Sequence, residues 1–290
     1  LPVMMLNPRV CLFIGVISIS IFPVLVKWAP VSGLTSAFYR MFIALLLLLP
    51  YVLIKKQLQR PDRSLWLPVF VCGILFGSDI AIWNLSIHYS NATQATLLTN
   101  LSPVWVGIAS SLFLPDKPGR QFWIGTVVAL SGMIILMGID TFAAMRFDKG
   151  FLMALTSGLL YASYMIVSKR VLNRLKIVSF MVYSMSVSSI YLLFICLLNG
   201  EPLWNFTPIV WGVLGVQGII CQLLGWLTIS YAVQKLDAQR VSLALLSQSV
   251  VTGLIAWLFI HEKVSLQMIV GGIVILIGIG ITFIKRKSLL

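Results

Sequence analysis

The sequence predicts an all-α membrane protein. Ten transmembrane helices form two inverted five-helix repeats, and both termini are cytoplasmic. Three observations predict this. The 290-residue chain is 59% hydrophobic and only 10% charged, where soluble domains carry about 25% charged residues. Its basic residues fall unevenly among the connectors between apolar runs. Residues 92–117 also read again, weakly, as residues 238–263.

A spanning helix needs about 20 predominantly apolar residues. Runs at 10–28, 34–54, 66–88, 93–114, 120–138, 150–169, 177–198, 208–231, 239–260 and 265–284 meet that need. They are continuously apolar, not alternating, so they are not barrel strands. The first holds Pro23, with Arg9 as a weak basic flank and no small-x-small cleavage site. It reads as a retained helix rather than a signal peptide, with Leu1 a start codon taken literally and Met4 or Met5 the expected true start. The second carries Arg40 and the third carries Asp79 and the pair Gly73 and Gly77. Asn100 and Pro103 lie in the fourth, Gly125 and Gly132 in the fifth. The sixth presents Ser157, Tyr161 and Tyr164, and the seventh holds Cys196. Gln222 and Trp226 lie in the eighth, Gln248 in the ninth, Gly271 and Gly278 in the tenth. No connector exceeds about 15 residues, which leaves no room for a soluble domain.

The net charge of +13 does not point to nucleic acid, because the basic residues form no surface on a soluble domain. Sixteen lie in connectors on the side of the N-terminus: Arg9, Lys55, Lys56, Arg60, Arg63, Lys117, Arg120, Lys169, Arg170, Arg174, Lys176, Lys235, Arg240, Lys285, Arg286 and Lys287. Four lie on the other side: Lys27, Arg146, Lys149 and Lys263. Positive charge collects on the cytoplasmic side of short loops, so both termini are expected there. The same split supports an even number of spans.

At a shift of 146 residues, Ala92 meets Ala238, Leu97 meets Leu243, Asp116 meets Glu262 and Lys117 meets Lys263, while Gly125 meets Gly271 and Gly132 meets Gly278. The units are residues 1–140 and 141–290. Five helices per unit is odd, so the second unit enters the membrane inverted, an arrangement that places substrate sites near the midplane between repeats.

The stretch SIHYSNATQATLLTNLSP, residues 86–103, resembles the junction of helices 3 and 4 in the EamA family of the drug/metabolite transporter superfamily. Tyr89, Ala92, Ala95, Leu97, Leu98, Leu101 and Pro103 carry the match. TSAFYR, residues 35–40, resembles the family's second helix, with its arginine at Arg40. The resemblance covers nearly the whole chain as two EamA units. It implies ten helices, no bound cofactor, and movement of small metabolites or drugs, often amino acids outward. Pro115-Asp116 stands where the family has Gly-Glu, and Ser249 where its ninth helix has Pro, so less detail carries over to the second half.

Asp79 is the sharpest candidate. A carboxylate at the bilayer centre costs at least ~2.5–3.5 kcal/mol, and such groups usually face the bundle interior or a water-filled cavity. Helical spacing puts Cys72, Phe76, Asp79, Trp83 and Ser86 on one face. Three roles fit Asp79. It binds the cationic part of a substrate, with Trp83 offering a π-face; it carries a coupling proton; or it pairs with Arg40 as a static lock. A pair that breaks on substrate binding would be a gate. In the fourth run Thr96, Asn100 and Pro103 share a face. Pro103 leaves the Thr99 carbonyl without its donor, to be met by substrate or water or sealed by neighbouring hydroxyls. Gly225 stands at the place of Asp79 in the second unit. The expected site is therefore asymmetric, with one negative pole facing Tyr161, Tyr164, Gln222, Trp226 and Gln248. A cationic or zwitterionic amine fits it. Packing or an interfacial belt is the alternative for each Tyr and Trp.

Transport of a small polar metabolite is the expected function, an amino acid or amine-type solute carried outward across the inner membrane. Uptake or exchange of a cationic or nucleoside-bearing metabolite is the alternative. The implied partners are lipid, a small solute and protons as coupling ion, with the chain a monomer or homodimer. An enzyme is disfavoured: HExxH, GxSxG and a phosphate-binding Gly loop with Lys are absent from the sequence. Asp140 and Asp148 beside Arg146 and Lys149 read as a solvated turn. The four cysteines lie inside apolar runs without metal-type spacing, and His88 and His261 sit at helix ends, so no metal site is expected. No ring of like charges suggests a channel filter.

Overall fold

The computed structural model describes residues 7–28, 31–89, 92–138, 140, 147–261 and 264–283. Leu1, Met4, Met5, Arg146, Glu262, Lys263, Lys285, Arg286 and Lys287, used above, lie outside the described residues. Ten helices are long and apolar enough to cross a membrane: α1 (Pro8–Val26), α2 (Gly33–Ile54), α3 (Arg63–Ile87), α4 (Gln94–Phe113), α5 (Arg120–Met137), α6 (Lys149–Leu172), α7 (Ile177–Leu198), α8 (Pro208–Lys235), α9 (Ala238–Phe259) and α10 (Leu266–Phe283). Each coincides with one of the expected runs. Side chains such as Leu67, Leu112, Ile190 and Leu266 stand exposed on the outside, as lipid contact requires.

Local chemistry sets the helix starts. Ser32 caps α2 by accepting from the Thr35 N–H at 3.1 Å. Asp148, expected in a solvated turn, instead caps α6 by accepting from the Phe151 N–H at 2.8 Å.

The packing follows the internal repeat. α3 packs on α6 and its counterpart α8 on α1; α4 packs on α6 and α9 on α1; α3 meets α7 as α8 meets α2. α5 and α10 pack on each other through their glycines. A Cβ at Gly125 would lie 2.4 Å from the Gly278 carbonyl oxygen, and one at Gly132 would lie 2.8 Å from that of Gly271. Since Gly271 corresponds to Gly125 and Gly278 to Gly132, each glycine touches the equivalent of its own helix partner. The order of contacts also makes α5 and α10 antiparallel. Between the two units, Gly73 and Gly77 let α3 approach Val187 and Tyr191 of α7. That close approach serves the bundle interior.

Three helices are interrupted. α1 breaks at Ile21, between Pro8–Ser20 and Phe22–Trp28, just ahead of Pro23. α4 breaks at Asn100 and Leu101, between Ala92–Thr99 and Ser102–Phe113, just ahead of Pro103. α9 breaks at the corresponding place, Leu245 and Leu246, although it lacks the proline. Its turn uses the same i to i−3 bonds, with the Ser247 hydroxyl donating to the Ala244 carbonyl at 2.6 Å. The second unit therefore repeats the helix break of the first without its proline. α8 differs from its counterpart α3 by a π-helical segment, Gln217–Leu224, that ends at Gly225.

Candidate functional site

A cavity of about 600 Å3 lies among α1, α2, α3, α4, α5, α8 and α9. It runs from the bundle middle, where Asp79 and Arg40 stand, to the helix ends bearing Val31, Gly33, Ile87 and Met137. Those ends are opposite the end at which α1 begins. The volume is that of a small-molecule site, and the wall is apolar and aromatic with a few polar groups.

Of the residues expected at the site, Asp79, Trp83, Asn100, Trp226, Gln248 and Arg40 line this cavity. Asp79 is buried and accepts a 2.5 Å hydrogen bond from the Ser157 hydroxyl of α6. That length is typical of a hydroxyl donating to a carboxylate. Gln248 reaches from α9 toward α1, its amide donating to the Ile19 carbonyl at 3.5 Å, and Thr252 one turn on donates to the Ser20 carbonyl at 3.0 Å. The breaks of α1 and α9 are thus stitched together at the cavity wall.

Arg40 and Asp79 both border the cavity but make no direct contact. Among the described residues the two form no ion pair: the carboxylate is met by Ser157, and the Arg40 guanidinium lies 4.7 Å over the Phe22 ring. Tyr161, Tyr164 and Gln222 are not on the cavity wall. Phe76 takes the wall position, stacking on Tyr164 at 4.8 Å and meeting Trp226 edge-on at 4.5 Å. The Tyr161 hydroxyl and the Gln222 side-chain oxygen are buried without a hydrogen-bond partner. Gln222 and Trp226 were expected on one face from their four-residue spacing. The π turns of α8 change that register, and Gln217 lines the cavity instead, held by a 2.7 Å bond from the Ser36 hydroxyl. No local pattern announced Gln217 or Phe22. Ser157 was visible as part of a polar face, but not as the partner of Asp79.

Polar contacts tie helix ends together at the opposite end of the bundle. Lys169, counted above as a connector charge, is buried within α6. Its ammonium donates to the carbonyls of Val233, Gln234 and Leu236 at 2.9, 3.1 and 2.8 Å, satisfying the C-terminal end of α8. Gln234 returns a 2.5 Å bond to the Leu172 carbonyl, and Gln239 donates to the Asp116 carbonyl at 3.1 Å.

Ten membrane-spanning-length helices form a bundle whose cavity reaches from the bundle middle to one set of helix ends. The chain belongs to the EamA-like transporter family, whose model matches residues 9–138 and 148–284; the family consists of transporters, not enzymes. An uncharacterized transporter of Archaeoglobus fulgidus is 25% identical over 258 residues, covering 87% of this chain and 88% of that one. The uncharacterized transporter YyaM of Bacillus subtilis is 22% identical, over 78% of this chain and 75% of its own. The uncharacterized inner membrane transporter YhbE of Escherichia coli is 26% identical, over 49% and 46%. A protein of known crystal structure has the same fold, with a TM-score of 0.83 at 15% identity, covering 95% of this chain and 97% of that one.

Proposed function

We propose that this multi-pass transporter carries a small amine-bearing metabolite, an amino acid or similar solute, outward across the inner membrane by alternating access. The units 1–140 and 141–290 act as inverted halves with both termini in the cytoplasm. The crossed glycine contacts of α5 and α10 and the basic connectors support that orientation. The observation that carries the reading is the buried Asp79 at the inner end of a cavity with aromatic walls. In this role Asp79 takes the amine or a coupling proton, Trp83 and Trp226 offer π-faces to the cation, and Asn100 and Gln248 supply amide groups. Tyr161, Tyr164 and Gln222 act when the bundle opens toward the termini, where the unpartnered Tyr161 hydroxyl and Gln222 oxygen gain a ligand. Uptake is the second reading, since a cavity open away from the termini also serves as a loading state.

The test is counterflow and net flux in proteoliposomes with amino acids, polyamines, quaternary amines and nucleoside metabolites, comparing the parent with Asp79→Asn. Loss of net flux with exchange spared assigns Asp79 to coupling. Loss of both in a folded variant assigns it to the substrate. Unchanged flux in the variant would sink the proposal.

A further inference from the structure

Among the described residues, three polar side chains at the middle and the opposite end of the bundle are held by protein partners. Asp79 has Ser157, Gln217 has Ser36, and Lys169 has three carbonyls. Arg40 is not held in this way. Its Nε is buried without a hydrogen-bond partner, and no carboxylate among the described residues lies within ion-pair distance. Its support is the face of Phe22 at 4.7 Å, and its side chain borders the cavity.

A guanidinium is always charged and presents five donors in a planar fork suited to oxyanions. Within a span such a cation is costly and is ordinarily paired. A ring face offsets part of that cost and satisfies none of the N–H donors. Asp79 acts on Arg40 through space as an opposite charge, but its direct hydrogen bond comes from Ser157 on another helix, and the buried Nε of Arg40 stays without an acceptor.

We propose that Arg40 is the oxyanion subsite of this cavity, binding a carboxylate or phosphate of the carried solute. The inference rests on the reading of this cavity as the transport site. It narrows the solute to one that carries an oxyanion together with its amine. Asp79 and Arg40 are then the two poles of one site, and the solute supplies the pairing that the protein lacks. Phe22, at the break of α1, holds the guanidinium in place from the unit's first helix.

The test uses the purified full-length protein in detergent, with thermal unfolding followed by tryptophan fluorescence. The probes are leucine, 3-methylbutylamine (its amine without the carboxylate), 4-methylpentanoate (the carboxylate without the amine) and phosphoethanolamine. In the parent, at least one oxyanion-bearing probe raises the midpoint; leucine against phosphoethanolamine separates carboxylate from phosphate. Arg40→Gln weakens that response about 10- to 100-fold, the loss of charge-assisted hydrogen bonds, and leaves the 3-methylbutylamine response unchanged. Arg40→Lys restores part of it, because an ammonium keeps the charge but not the fork. Without solute, Arg40→Gln unfolds no earlier than the parent.

Three results overturn the proposal: earlier unfolding of empty Arg40→Gln, equal weakening of all probes, or no oxyanion response in the parent up to about 10 mM, where binding is too weak for a built site. Asp79→Asn in the same titration separates the two readings. If it changes no response while Arg40→Gln removes the oxyanion response, the amine role of Asp79 fails and the Arg40 subsite stands.

Discussion

Replacing Lys169 by Met keeps most of the side-chain volume and removes only the ammonium. In the parent, that ammonium spends all three of its donors on the carbonyls of Val233, Gln234 and Leu236, at 2.8–3.1 Å, with the side chain 8% exposed. Each hydrogen bond to a charged group is worth about 1.5–3 kcal/mol net, and acceptors left unmet cost about 1–3 kcal/mol each. Removing the cation also removes the cost of burying it, so the sum is well below three full bonds. A net loss of about 3–5 kcal/mol is expected, the usual scale for breaking a buried charged network. At about 2–4 °C per kcal/mol for a chain of this order of size, the thermal midpoint in detergent falls by about 6–20 °C. Lys169→Arg falls by an intermediate amount, because a planar fork does not fit three converging carbonyls. A midpoint for Lys169→Met within about 2 °C of the parent, less than the shift expected from 1 kcal/mol, would refute the reasoning. Lys169 would then be a solvated charge of the kind its sequence position suggested.

Two further predictions concern the cavity wall and the repeat contact. Ser157→Ala lowers stability by about 1.5–3 kcal/mol by removing the hydroxyl from a buried carboxylate. In an Asp79→Asn background the same change costs under about 1 kcal/mol, and additive effects in that double-mutant cycle would show that the 2.5 Å contact carries no energy. Gly271→Ala places a Cβ 2.4 Å from the Leu136 nitrogen and 2.7 Å from the Gly132 oxygen, both backbone atoms that cannot step aside. A loss of about 1–3 kcal/mol is expected. Gly119→Ala, whose Cβ meets nothing within 4 Å, is the matched control, and equal midpoints for the two would refute the close packing of α5 on α10.

The residues that sequence reading placed well are those whose cost is local. Asp79 is conspicuous because a carboxylate amid apolar residues is costly wherever its partners lie. Pro103 marks the break of α4 because proline lacks an N–H donor. The positions it could not read are those set by a distant neighbour. Lys169 lies at the edge of an apolar run and reads as a loop charge until α8 presents its carbonyls. Tyr164 stacks behind Phe76, off the cavity wall, which its own sequence neighbours do not announce. Gln222 loses its expected face, and Gln217 gains one, because α8 winds a π segment that no spacing announces.

The sequence by itself therefore determined the ten spans, their division at a shift of 146 residues, and the presence of an acid and a base inside the membrane. Those follow from the transfer cost of each residue into lipid, which every residue meets wherever the rest of the chain goes. Only the tertiary structure decided that Asp79 is held by Ser157, that Arg40 borders the cavity with no ion pair, and that Lys169 holds the end of α8. Those are choices between competing partners, made when the two units pack and their polar groups must be satisfied together.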